Sequence, residues 1–440
     1  MITRPQQKYQ HSKQVKQLRW RLFAFLLLHI LIGLHLYLWY VADWKIIGAI
    51  DMQELFRHFI EHNALTAGAL FFLIALGLGL LWGRYFCGWL CHIGQTYDLL
   101  AALYRKLGIP MRNYALRWGA VMAAVILGYY FVREAVINRM AGPSQPMTVA
   151  MGLTEPWELL PGWVMGSLTL GLILLVLPVF FGPRVFCKHL CPWGVALGWT
   201  NFFSRMKVRR TGDCTMCGSC STACPMDLDV SRLINEDFNV NKVRCTNCLQ
   251  CVASCPTDAL KFTTRRHENR EPQKRPLLAP FTYVPVWEEL LFWGMCLLVG
   301  WVYGGFYGLG IFFAFSLGLL LAWMTVHTLK LAKKRRVLAF CTLLLIAPAW
   351  VVTAKDGMAH YHYSQGRKAF LAQDLSGAQH HYEKSDALMW VAPNNLLYHL
   401  YIIYKSTGQE NKRKALYDRY EARRKTQKKM AEEKGGSGTE

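Results

Sequence analysis

Seven apolar runs, each about 20 residues long, constrain this chain more than any other feature. They lie near 21–42, 64–82, 115–132, 163–182, 286–304, 309–329 and 337–354. A helix needs roughly 20 apolar residues to cross the hydrocarbon core of a bilayer. Backbone groups in lipid must also be satisfied within the segment, so runs of this length predict helices. The composition agrees: of 440 residues, 53% are hydrophobic and only 18% charged, too apolar for an ordinary soluble domain. The expected fold is mainly α, a polytopic helical membrane protein with about seven spans. The first run is too long for the core of a cleavable signal peptide, and no small-residue cleavage site follows it.

The formal charge of +22 follows these runs and does not form one patch. Arg4, Lys8, Lys13, Lys16, Arg19 and Arg21 precede the first run with no acidic residue among them, whereas the next loop sets Lys45 and Arg57 against Asp43, Asp51, Glu54 and Glu61. The bias predicts a cytoplasmic N-terminus in a bacterial inner membrane. By alternation, the loop with Arg84, Arg105, Lys106, Arg112 and Arg117 faces the cytoplasm, as do the segment from about 183 to 285 and the KLAKKRR turn at 330–336. An odd number of spans then places the C-terminal region in the periplasm. Membrane topology accounts for the basic excess, so lipid is an expected partner and nucleic acid is not.

Between the fourth and fifth runs the sequence turns polar and reads CTMCGSCSTACP at 214–225 and CTNCLQCVASCP at 245–256. Both are C-x2-C-x2-C-x3-C-P, the spacing that bacterial two-cluster ferredoxins use for [4Fe–4S] clusters. Three close thiolates hold one cubane, and the fourth reaches the other. Cys214, Cys217, Cys220 and Cys255 are therefore expected to hold one cluster, and Cys245, Cys248, Cys251 and Cys224 the second. Zinc sites would use four thiolates each and have no need of the third cysteine at this spacing. Disulfides are rare on the cytoplasmic side, which also favours metal or redox chemistry. Cys296 and Cys341 stand alone in apolar runs and read as small buried hydrophobes.

Two further stretches echo one another at a distance of one hundred residues: GRYFCGWLCHIG at 83–94 and PRVFCKHLCPWG at 183–194. Arg84 matches Arg184, Cys87 matches Cys187, Cys91 matches Cys191, and Gly94 matches Gly194. The echo reads as a duplicated helical hairpin. Read as helical, each C-x3-C pair puts its cysteines at i and i+4 on one face. Cys87, Cys91, Cys187 and Cys191 are candidates for a third metal or iron–sulfur site, for a redox-active dithiol, or for plain packing. The neighbouring arginines favour thiolates on either chemical reading. A c-type haem is disfavoured, since its attachment motif has two residues between the cysteines, not three.

In their order of spans, C-x3-C pairs and double ferredoxin motif, residues 20 to 262 resemble the NapH-like ferredoxin-type membrane proteins, relatives of the NosR and CcoG types. The resemblance implies electron transfer between the quinone pool, cytoplasmic-face clusters and a protein partner, with quinone as substrate. A competing reading is an assembly or maturation factor that reduces a metal or thiol on a client metalloenzyme. The chain departs from the family pattern at His92, where the second pair has Pro192, and in everything beyond about residue 285.

Polar side chains within the runs are sparse, His29, His35 and His327 among them; helix–helix hydrogen bonds explain these histidines more simply than a b-type haem. In the first outside loop Glu54, His58, Glu61 and His62 share one helical face, which suits either a proton exit or a solvated interfacial helix. After the last run, GRKAFLAQDLSGAQHHYEKSDALMWVAP resembles a tetratricopeptide unit, with Gly366, Ala378, Tyr382 and Ser385 at packing positions, Pro393 slightly late and Gly408 at a following turn. That region is the expected docking surface for a redox partner or client. The expected domains are a basic N-terminus (1–20), a four-helix module (21–200), the ferredoxin domain (201–285), three further spans (286–355) and a helical repeat with a charged tail (356–440).

Overall fold

The computed structural model describes residues 4–111, 114–142, 146–156, 162–264, 283–306, 310–332, 335–389, 392, 394–419 and 421. Arg112, Lys333, Lys334, Pro393 and the tail beyond 421, all invoked above, lie outside them, as do the side chains of Arg4 and Lys8. The chain divides into two compact units, Met1–Trp293 and Gly294–Glu440.

The first unit opens with α1 (Arg4–Tyr40), whose Ser12–Tyr40 portion has a mean hydropathy of 2.1 and lies almost wholly uncovered by the rest of the chain. At about 1.5 Å per residue, α1 is far longer than a bilayer core is thick. Its polar start is used elsewhere: Lys13 pairs with Asp258, and Gln17 donates to the Cys248 carbonyl. A π-helical turn at Leu55–Ile60 leads to β1 (Ala64–Leu65) and then α2 (Ala67–Trp82), capped by the Thr66 hydroxyl. The second run is therefore shorter than the expected 64–82, because residues 64 and 65 form a ladder and Thr66 a cap. The chain continues through α3 (Tyr85–Trp89), α4 (His92–Lys106), α5 (Gly119–Ile126) and α6 (Arg133–Ala141), the last two joined by a π-helical stretch. β2 (Thr148–Val149) pairs in parallel with β1, Ala64 opposite Thr148. The second hairpin consists of α7 (Trp163–Gly171), α8 (Leu177–Phe181), α9 (Val185–His189) and α10 (Pro192–Phe203). A wide turn at Leu172–Val176 precedes Pro178, which has no N–H to give to a regular ladder.

The ferredoxin domain follows directly. β3 (Lys207–Arg210) runs antiparallel to β4 (Leu260–Thr263), with Lys207 opposite Thr263. Between them lie α11 (Ser219–Thr222), α12 (Val230–Glu236) and α13 (Gln250–Ala253), over a core of Val208, Met226, Ile234, Val240 and Leu260. α14 (Val286–Gly300) contains the boundary between the two units.

In the second unit α15 (Ile311–Ala332) packs on α16 (Arg336–Leu371), which runs without a break from the last apolar run into the C-terminal region, with Pro348 inside it. α16 packs along α17 (Leu375–Leu388), and α17 meets α18 (Asn394–Ser406). Ala378, Tyr382 and Ser385 are fully buried, and the Tyr382 ring lies where a Cβ on Gly366 would stand. Among the described residues, six helices are long and apolar enough to cross a membrane, and Ala67–Trp82 is a shorter apolar one. The mainly α membrane fold is as expected. Cys296 is fully buried, but Cys341 is exposed on α16, because that stretch of helix turns outward and not into a core.

Candidate functional site

The i, i+4 expectation for the C-x3-C pairs needs correction. Cys87 lies in α3, the helix ends at Trp89, and Cys91 is extended (φ −75°, ψ 116°) as the N-cap of α4. Cys187 and Cys191 repeat this arrangement, with Cys191 at φ −74° and ψ 107°. His92 and Pro192 each take the first helical position, so the histidine leaves the geometry of the first pair unchanged. A cysteine at an N-cap faces unpaired backbone N–H groups, and the Cys191 sulfur accepts from Gly194 N at 3.3 Å. All six pairings among Cys87, Cys91, Cys187 and Cys191 fall within electrostatic reach, so the two hairpins do bring the four sulfurs together.

The arginines cross between the hairpins. Arg84 donates to the Cys187 carbonyl (3.1 Å) and the Val243 carbonyl (3.3 Å), and its Nη2 occupies the space that a Cβ on Gly194 would need. Arg184 lies correspondingly beside Gly94. It holds Asp98 through two bonds of 3.0 and 2.7 Å and donates to the Thr246 hydroxyl at 3.2 Å. Arg21 reaches the same carboxylate. Arg184 takes a left-handed backbone (φ 56°), a conformation that non-glycine residues keep only where the surroundings impose it. Burial acts to raise the Asp98 pKa, but Arg184 and then Arg21 outweigh it and leave the value lowered. The expectation that the arginines would favour thiolates holds only in direction. Burial pushes Cys91 up to about 11 and Cys187 up to about 12 against the pull of Arg184 and Arg84.

The second ferredoxin motif is seated on these hairpins. The Trp89 indole donates to the Asn247 carbonyl at 3.1 Å, Asn247 to the Trp82 carbonyl at 2.8 Å, and Asn201 to the Cys245 carbonyl at 2.7 Å. Gly88 leaves no room for a side chain: a Cβ there would stand 2.4 Å from the Thr246 oxygen and 3.0 Å from Cys248 Cα. The buried Lys188–Asp227 pair at 2.5 Å adds a tie from α9 to the domain. Within the domain, one small cavity is lined by Cys224, Cys245, Cys248 and Cys251 together. The Cys220 thiol is surrounded by Cys214, Cys217 and Cys255. The grouping is thus the crossed one that the spacing predicts. Cys217 alone among the eight is exposed. No three Cys, His, Asp or Glu side chains among the described residues converge tightly enough for a single metal ion.

Of the other candidates, His29 lies 6.4 Å from His92, His35 lies against Trp39, and His327 stacks on Trp323. Arg21, Arg184 and Asp98 as a bonded group had no signal in the sequence beyond the repeated arginine.

Two family models match the chain. A "4Fe-4S binding domain" covers residues 64–110 and 163–211, and so contains both C-x3-C pairs; a "4Fe-4S dicluster domain" covers 206–256. Ferredoxin-type protein NapH of Haemophilus influenzae is 28% identical over 222 residues, 48% of this chain and 71% of NapH. Regulatory protein NosR of Stutzerimonas stutzeri is 28% identical over 47% of this chain and 29% of NosR. Over about half its length the chain is similar to the NapH- and NosR-like ferredoxin-type proteins. It binds two [4Fe–4S] clusters. YccM of Escherichia coli (strain K12), whose name marks it provisionally as an electron transport protein, is 30% identical over 218 residues; this chain spans 46% of itself and 57% of YccM in that match. No solved structure matches. The ferredoxin-type resemblance expected from the cysteines is thereby met, and the family-model match ends at 256.

Proposed function

We propose that this protein carries electrons from the quinone pool, across the cytoplasmic face of a bacterial inner membrane, to a protein partner. Bound [4Fe–4S] clusters supply one-electron redox capacity. Cys245, Cys248, Cys251 and Cys224 hold the cluster next to the membrane module; Cys214, Cys217, Cys220 and Cys255 hold the outer one. Cys87, Cys91, Cys187 and Cys191 form a third centre between quinol and the inner cluster. The observation that carries this order is the seating of residues 245–248 on the two hairpins, with Cys217 exposed on the other motif. Arg84 and Arg184 place two buried positive charges beside the site, which stabilises added electrons. The positive-inside bias favours a cytoplasmic ferredoxin domain, where the electron acceptor meets the outer cluster, and periplasmic C-terminal helices, which offer a separate docking surface for a client.

The test is iron and electron counting on purified protein in nanodiscs. Three cubanes require about twelve irons per chain, and the Cys87→Ser, Cys187→Ser variant should fall to about eight. Eight irons in both proteins would sink the third centre. A soluble quinol should bleach the clusters rapidly. Clusters that dithionite reduces but quinol does not would rule out the quinone role and favour a maturation factor acting on a client.

A further inference from the structure

At the end of α2 away from the ferredoxin domain lies a carboxylate that the electron path does not use. Glu54 is completely buried, and neither of its oxygens receives a hydrogen bond. Gly68, in the first turn of α2, approaches so closely that a Cβ there would stand 2.6 Å from the Glu54 Cγ. The carboxyl therefore sits at the positive end of a 16-residue helix, which can hold a fraction of negative charge. His58 Nε2 is 3.8 Å from Glu54 Oε1, the His58 and His62 rings are 6.1 Å apart, and His62 Nε2 is 3.5 Å from Glu61 Oε1. Side-chain exposure rises along this series, from 0% at Glu54 through 13% at His58 to 47% at His62. A buried acid, followed by imidazoles that reach water in steps, is the layout of a proton exit.

The same segment points inward. Phe56, two residues after Glu54, stacks on Trp193 at 5.8 Å, and Trp193 lies two residues after Cys191. Phe72 and Phe131 close around the same indole. A single aromatic contact, Phe56 on Trp193, thus links the segment that carries the acid to the segment that carries Cys191.

We propose that Glu54 receives the protons released when a hydroquinone is oxidised by this protein and passes them through His58 to His62 and Glu61 at the opposite membrane face. The proposal rests on the quinol reading. One hydroquinone becomes one quinone, two electrons leave singly toward the ferredoxin domain, and two protons leave in turn by Glu54. The other charged and titratable groups on this segment and on the elements packed against it are Asp51 and Arg57, Tyr129 and Tyr130 before α6, and Arg133, Glu134 and Arg139 on α6; α2 and β1 contribute none. Asn138 of α6 donates to Glu61 at 3.0 Å, which fixes the outer end of the path.

The experiment compares wild type, Glu54→Gln, Glu54→Asp and His58→Asn in nanodiscs by stopped-flow reduction with quinol and, separately, with dithionite. Glu54→Gln should slow quinol-dependent reduction by roughly 100-fold and flatten its pH profile. It should leave iron content and dithionite reduction unchanged, and Glu54→Asp should recover most of the rate. Quinol rates in Glu54→Gln within about twofold of wild type would overturn the relay and leave the quinol reading standing. Wild type that dithionite reduces and quinol does not would overturn both. If Glu54→Gln loses iron through misfolding, His58→Asn decides by the same comparison.

Discussion

Asp98→Asn tests whether the arginine cluster holds the two hairpins together. Arg184 has no exposed surface, Arg21 is 5% exposed at its side chain and Asp98 13%, so the neutral amide leaves two buried guanidinium groups without their counter-charge. Removing one partner of such a group costs about 3–5 kcal/mol. At about 2–4 °C per kcal/mol for a unit of this size, the unfolding midpoint should fall by about 6–20 °C. Glu236→Gln is the control, because the Arg232–Glu236 pair is more than half exposed on both sides and is worth under about 1 kcal/mol. Tryptophan fluorescence on heating in detergent measures both. The pH dependence has a definite sign. The folded Asp98 pKa is lowered, so its stabilisation is complete above the unfolded value near 3.9 and is lost as pH falls through the folded one. The gap between wild type and variant should therefore be constant from about pH 6 to 9 and close only in acid. A drop no larger than that of Glu236→Gln would refute the reasoning.

Cys224→Ser should abolish the signal of the cluster held by Cys245, Cys248 and Cys251, and Cys255→Ser that of the cluster held by Cys214, Cys217 and Cys220; electron paramagnetic resonance of the reduced variants distinguishes this crossed pattern from a sequential one. Gly88→Ala should cost about 1–3 kcal/mol, since the obstructing atoms are backbone and cannot swing aside, and should shift the potential of the inner cluster more than that of the outer.

The grouping of the eight ferredoxin cysteines was legible because a cubane imposes its spacing on a short piece of chain, and the structure gathers them into the two sets that this spacing implies. The apolar runs were legible for a similar reason: bilayer thickness fixes helix length within one segment. What the sequence concealed depends on partners far away in the chain. The helical reading of Cys87 and Cys91 failed because no local signal marks the break at Leu90; His92 is not a helix breaker, yet the first hairpin breaks where the second does at Pro192. Gly88 carried no signal, and its reason is the backbone of Thr246 and Cys248, some 160 positions away. The basic N-terminus read as a topology signal alone, whereas Lys13 and Arg21 also pair with Asp258 and Asp98.

The exchange of arginines has the form of an isologous interface, in which residue i meets j and j meets i across a twofold axis, carried here within a single chain. Where that symmetry fails is informative. One hundred residues after Asp98 stands Gly198, and a Cβ on Gly198 would be 2.4 Å from the Val243 carbonyl, the same oxygen that accepts from Arg84. In one half a carboxylate holds the exchanged arginine; in the other, a glycine makes way and a peptide oxygen of the ferredoxin domain does so. The twofold is broken at the point where the soluble domain attaches, which gives an otherwise two-sided module a single direction.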